Sequence, residues 1–217
     1  LITIIALSWA IEIPLKLGLE WLDEQAMVAC FGLMLVIVYI RYPAGGGKER
    51  LSVPWYDVIL ALLGGGAACY LLSIYGEIEL NPYEMRPKMF WISLIFLPLT
   101  WEALRRTAGM SLTMIFSVFV VYAFVGHFVP GEMFKGVEQE PYRLIAELGT
   151  NSASLLGLPL KIIVLTVVLF IWMGQLLLHT GASEWFTDLA AAMMGRSRGG
   201  SAKIAVVASG FFGSISE

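Results

Sequence analysis

Five long apolar runs, Ala26 to Ile40, Trp55 to Tyr75, Met89 to Leu104, Gly109 to Val129 and Leu158 to Leu178, constrain this chain more than any other feature. Each approaches the roughly 20 residues that a helix needs to cross a hydrocarbon core of about 30 Å. Polar clusters between the runs are short, so 217 residues leave no room for a separate soluble domain. The balance of residues agrees: 58% are hydrophobic, 14% are charged and the mean hydropathy is +0.78, values of an integral membrane protein. With a net charge of −3 of mixed sign, no basic surface is available for nucleic acid. The lipid bilayer is the first partner this chain implies. The fold expected is an all-α integral membrane protein, with about five full transmembrane helices, a partial N-terminal helix, an interfacial helix and the first arm of a re-entrant hairpin.

Leu1 to Pro14 is apolar but too short to span, and reads either as the tail of an incomplete first helix or as an interfacial segment. The residues from Lys16 to Glu24 alternate leucine and tryptophan with charge, as a stretch lying along a membrane face does. Pro54 opens the second run, whose interior triplet Gly64-Gly65-Gly66 permits close helix contact in lipid. Gly76 to Lys88 reads as a polar loop, and Glu132 to Ser154 as the longest polar connection, with a short helix at Pro141 to Leu148. His179-Thr180-Gly181 stops the fifth run. Ser183 then caps a helix to Gly195 whose apolar positions Trp185, Phe186, Leu189, Ala190 and Met193 recur at helical spacing, which suits the interface plane. Cys30 and Cys69 both fall in apolar runs and behave as small hydrophobes, which gives no disulfide or metal framework.

Lysine and arginine counts near the helix ends orient the chain. Connections after the first, third and fifth runs hold eight of them: Arg41, Lys48, Arg50, Arg105, Arg106, Arg196, Arg198 and Lys203. The other side holds six, spread among ten acidic residues in longer connections. The eight-residue side is expected in the cytoplasm, which leaves an acidic outer face.

Few residues suggest chemistry. Glu102 stands three and four residues before Arg105 and Arg106, a spacing at which helical side chains meet. It reads as an interfacial salt bridge sooner than as a proton relay, because the group sits at a helix end. His127 and His179 also lie at run ends. Asp57, beside Trp55 and Tyr56, reads as a structural helix-start carboxylate. No paired carboxylates, Ser-His-Asp set, metal-ligand spacing or phosphate loop appears, so enzyme chemistry has no visible basis.

The last stretch, Gly199 to Glu217, differs from everything before it by mixing glycines, small residues and hydroxyls. One reading is half of a re-entrant hairpin, helical from Lys203 to Gly210 and broken near Gly213, in the manner of the broken segments that bind substrates and ions in transporters. The other is a packing seam in which Ala205, Ala208, Gly210 and Gly213 admit a neighbouring helix.

Several local patterns converge on a family: Pro54-Trp55-Tyr56-Asp57, Glu102 to Gly109, Gly157-Leu158-Pro159-Leu160, His179-Thr180-Gly181-Ala182, Gly195 to Lys203 and Val206 to Ser216. Together they resemble the fused permease of tripartite ATP-independent periplasmic (TRAP) transporters, in the TAXI branch. The resemblance implies a small-subunit-like scaffold module over 1–130, a polar periplasmic connection over 131–154 and the start of a large transport module over 155–217. It implies a multi-pass protein of the bacterial inner membrane that takes a small organic acid from a periplasmic substrate-binding protein and imports it with a sodium gradient. By the match, Gly213, Ser214 and Ser216 stand at hairpin-tip positions where oxygens would hold sodium, the one ion implied and no organic cofactor. The pattern departs at Glu217, where the family continues with glycine, a small residue, a hydroxyl and asparagine. A non-transporting membrane scaffold is the alternative.

Overall fold

In a computed structural model of the chain, three helices pack side by side into the best-buried part of the molecule. The structure describes residues 1–11, 13–16, 22–45, 53–129, 135–195 and 199–216. Among these, every regular element is helical and none is a strand. The helices are α1 (Ile2–Ala10), α2 (Ile13–Lys16), α3 (Asp23–Arg41), α4 (Trp55–Leu80), α5 (Pro82–Thr107), α6 (Met110–Val125), α7 (Pro141–Thr150), α8 (Leu158–Ile162), α9 (Val168–His179), α10 (Ala182–Met194) and α11 (Gly200–Ser216). A single 3-10 turn, Gly126–Phe128, extends α6, and a π-helical turn, Ile163–Val167, joins α8 to α9 into one rod.

Four of these rods are long and apolar enough to cross a membrane: Asp23–Arg41, Trp55–Leu80, Met110–Phe128 and Leu158–His179. The third expected span, Met89 to Leu104, is the middle of α5. That stretch is about 24 Å long at ~1.5 Å per residue, short of a full core, and the 26-residue helix carries charge at both ends, with Glu84, Arg86 and Lys88 before it and Arg105 and Arg106 after it. The fold is therefore all-α as expected, with four helices long and apolar enough to cross a membrane and α5 as a polar-ended fifth.

Helices α3, α4 and α5 share a core of Phe31, Leu35, Tyr39, Leu71, Phe96 and Leu99. The Phe31 and Phe96 rings meet edge to face, 5.2 Å between centroids. Small residues set the approach of α3 to α4: a Cβ on Gly32 would collide with that of Ala68, and one on Gly64 would stand 3.3 Å from Leu35. Such close backbone contact is what glycine supplies in lipid, where dispersion replaces the hydrophobic effect as the force between helices. The glycine triplet thus works as expected at Gly64 and Gly65, while Gly66 faces open space.

Two stretches depart from expectation. The loop expected from Gly76 to Lys88 contracts to Asn81 alone, between α4 and α5. Glu77, Ile78, Glu79 and Leu80 are competent helix formers, Ile78 is buried in the core, and Pro82 stands at the first position of α5, where its missing N–H costs nothing. The break expected near Gly213 is also absent, for α11 stays helical to Ser216. A glycine lowers helicity by only about 1 kcal/mol, whereas interrupting helical hydrogen bonding away from water costs several kcal/mol per group.

The polar connection contains α7, close to the expected helix, but it is docked instead of loose. Tyr142 stacks on Phe90 at 4.7 Å, the Ser93 hydroxyl donates to the Ala146 carbonyl at 2.8 Å, and Gly149 sits where a Cβ would be 2.7 Å from Ser93 Cα. At the other end of the chain, the cap of α10 lies two residues earlier than expected: its N-cap is Gly181, at φ 81°, in the left-handed region that favours glycine. Ser183 is therefore inside the helix, not its cap. Residues 17–21, most of the expected interfacial stretch, and the basic turn at 196–198 lie outside the described residues, as does Glu217.

Candidate functional site

The most developed polar site joins the C-terminal ends of α3 and α5 to the N-terminal end of α4. Its centre is Arg106, whose side chain is only 2% exposed. The Arg106 Nη1 donates to Asp57 Oδ1 at 2.7 Å and its Nε to Glu102 Oε1 at 2.7 Å. Nη1 also reaches the Tyr42 carbonyl at 3.3 Å. Glu102 accepts from Arg105 as well, at 2.7 and 2.8 Å, and Arg105 donates onward to the Ala44 carbonyl at 2.8 Å.

Helical spacing explains half of this group. Glu102 lies three and four residues before the two arginines, so one carboxylate serves both. The other half comes from α4, where Asp57 in the first turn is completely buried. Below the guanidinium of Arg106 lies the Tyr39 ring, 4.8 Å away, a cation–π contact that strengthens as water is excluded. Tyr39 in turn donates its hydroxyl to the Leu99 carbonyl at 2.7 Å. Two cations face two carboxylates, so burial leaves no uncompensated charge within the set, the condition under which a buried ion group is tolerable. The expected Glu102 salt bridge is present. Sequence reasoning missed that Asp57 belongs to it, although two arginines beside one glutamate leave a surplus positive charge that calls for a second carboxylate at the same end.

A second tie lies at the opposite ends of these helices. Asp23, the first residue of α3, accepts from Trp9 Nε1 of α1 at 3.1 Å and from Lys161 of α8. It thereby connects the N-terminal helix and the last long span to the three-helix core.

The expected ion-site residues lie elsewhere, on the last turn of α11, which packs against α9 and α10. The Phe186 and Phe211 rings stack at 5.9 Å between these two short helices. Gly213 is partly buried and a Cβ there would meet nothing within 4 Å. The backbone of Ser214 and Ser216 is helical, and their side chains lie outside the described part of the structure. The structure does not bring Gly213, Ser214 and Ser216 to the arginine site. Nor does it unite His127, whose ring tilts against Phe128 at 3.8 Å, with His179 at the end of α9. Among the described residues, no group of three or more His, Cys, Asp or Glu side chains could hold a metal ion.

Residues 95–216, more than half of the chain, match the family described as "DctM: Tripartite ATP-independent periplasmic transporter, DctM component". The chain belongs to this family. No curated protein and no solved structure matches it. As a TRAP membrane component, it is part of a transporter permease. The matched region enters midway along α5, takes in Glu102, Arg105 and Arg106, and runs to the end of α11. Both the arginine side of the buried ion group and the glycine-serine arm therefore fall within it, while Asp57 and Tyr39 lie before it.

Proposed function

We propose that this TRAP component is the N-terminal part of a TAXI-type, sodium-coupled permease of the bacterial inner membrane, importing a small organic acid delivered by a periplasmic binding protein. The observation that supports the reading most is the run of the family match through Gly213, Ser214 and Ser216 to the end of α11. That arm has the composition ion-binding hairpins need: small residues for close approach and oxygens for a hard cation. Two left-handed glycines, Gly181 and Gly199 at φ 81° and 74°, set off α10 and α11 from the long α8–α9 rod, as an arm separate from the α3–α5 core would require.

Uptake into proteoliposomes is the test, with the intact permease, its binding protein and an imposed sodium gradient. Ser214→Ala and Ser216→Ala should raise the sodium concentration needed for half-maximal uptake by roughly tenfold while leaving yield and thermal midpoint near native. Variants as active as wild type at limiting sodium would remove the ion-site assignment. A second reading, a non-transporting scaffold, draws on the buried ion group that holds α3, α4 and α5 together; absence of any gradient-driven uptake would favour it.

A further inference from the structure

We infer that the ends of α3, α4 and α7 opposite the arginine group form a binding site for a hard divalent cation of the calcium type. A cavity of about 190 Å³ lies there, lined by Glu24, Tyr75, Glu79, Thr150, Asn151 and Ser152 among others. At about 30 Å³ per water, it has room for an ion with part of its water shell. No lysine or arginine lines it, and neither Glu24 nor Glu79 has a hydrogen-bond or ion-pair partner among the described residues. Lys161, at the same end of the bundle, is held by Asp23.

The carboxylates do not stand alone. Tyr75 is only 6% exposed, yet its hydroxyl has no hydrogen-bond partner among the described residues. A buried phenol without a partner keeps its desolvation penalty uncompensated, so it marks a place where a ligand or its water supplies the missing bond. Its direction is fixed by the helix: Tyr75, Ile78 and Glu79 are i, i+3 and i+4 on α4, and all three line the cavity.

The surrounding backbone is balanced: α4 and α7 end at the cavity, at Leu80 and Thr150, while α3 and α5 begin there, at Asp23 and Pro82, so the helix dipoles offset one another and the side chains set the preference. Thr150 spends its proton on the Ala146 carbonyl at 2.7 Å, which leaves the hydroxyl oxygen as an acceptor. Asn151 directs Oδ1 to its own loop, at the Ala153 N–H, 2.8 Å away, and Ser152 is exposed beside it. An ion of charge two balances Glu24 and Glu79, whereas a monovalent ion leaves one negative charge in a half-enclosed space. All the candidate ligands are oxygens and only two are charged, which selects calcium over softer metals. It also sets a weak affinity, with Kd about 10⁻⁴ to 10⁻³ M.

Terbium, which takes the place of calcium and emits when a nearby tyrosine is excited, reads the site directly in the intact permease in phosphatidylcholine nanodiscs. Saturable emission that calcium displaces is expected. Glu24→Gln with Glu79→Gln should weaken binding roughly tenfold or more, and Tyr75→Phe should lower the emission. Ser152→Lys, at an exposed position, places an ammonium group at the cavity and should abolish binding with the circular dichroism spectrum unchanged, which covers the case of a double variant that fails to fold. Native protein without saturable emission, variants that titrate like native, or displacement by methylammonium but not by calcium would overturn the inference. Equilibrium binding is independent of the transport reading, so failure here leaves sodium-driven uptake untouched.

Discussion

Arg106 carries the sharpest residue-scale consequence of the fold. Its guanidinium is buried between Asp57 and Glu102 over the Tyr39 ring, and removing it takes an opposite charge away from a fully buried carboxylate. Arg106→Met should cost about 3–5 kcal/mol, seen as a lower thermal midpoint of the purified protein in detergent. Adding Asp57→Leu to that variant should recover part of the loss, because exchanging both partners for apolar groups removes the carboxylate that Arg106 neutralised; a double variant no more stable than the single would contradict the pairing. Glu102 with Arg105 and Arg106 was legible in the sequence because spacing on one helix is a local property. Asp57 was not, since its partner is 49 residues away and only the packing of α4 on α5 brings the two together. For Gly213, Ser214 and Ser216, the sequence supplied their resemblance to an ion site, and the helical course of their backbone came from the structure alone.

At the scale of elements, hydrophobic length gave α3, α6 with its 3-10 turn and the α8–α9 rod to within three residues, whereas polar stretches misled at the joint of α4 and α5. Gly76 to Lys88 reads as a loop by charge and proline content, yet Pro82 falls at the first position of α5, where a helix tolerates it, the helix continues through Pro87, and buried Ile78 carries the α4 core onward by a turn. Likewise the connection before the last long span looked like a linker, but its helix packs on α5 through Gly149 and Ser93. Gly149→Val should drive this helix off, at about 1–3 kcal/mol. Amide hydrogen exchange should then accelerate across Pro141–Thr150 and stay unchanged across α3. The α3–α4 contact predicts the opposite distribution: Gly32→Val should loosen both of those helices, because its new side chain collides with the Cβ of Ala68. An equal exchange pattern in the two variants would show that these contacts are not separate.

For the whole molecule, Arg105 and Arg106 share one end of the core with Tyr42 and Ala44, and Glu24 and Glu79 share the other, a division the lysine and arginine pattern had implied. We place the arginine end in the cytoplasm, so a membrane-impermeant thiol reagent added outside should react with Glu138→Cys and spare Lys48→Cys and Arg196→Cys; the reverse labelling would invert the molecule. The single-residue joint at Asn81 also says something about how such a chain is made. Asp57 leaves the ribosome first and Arg106 follows 49 residues later, roughly 2 to 10 s at cellular rates of synthesis. During that interval Asp57 lacks the Arg106 guanidinium, which reaches it only after α5 has folded back along α4. Closure of Arg106 on Asp57 is thus the event that registers completion of the α4–α5 hairpin.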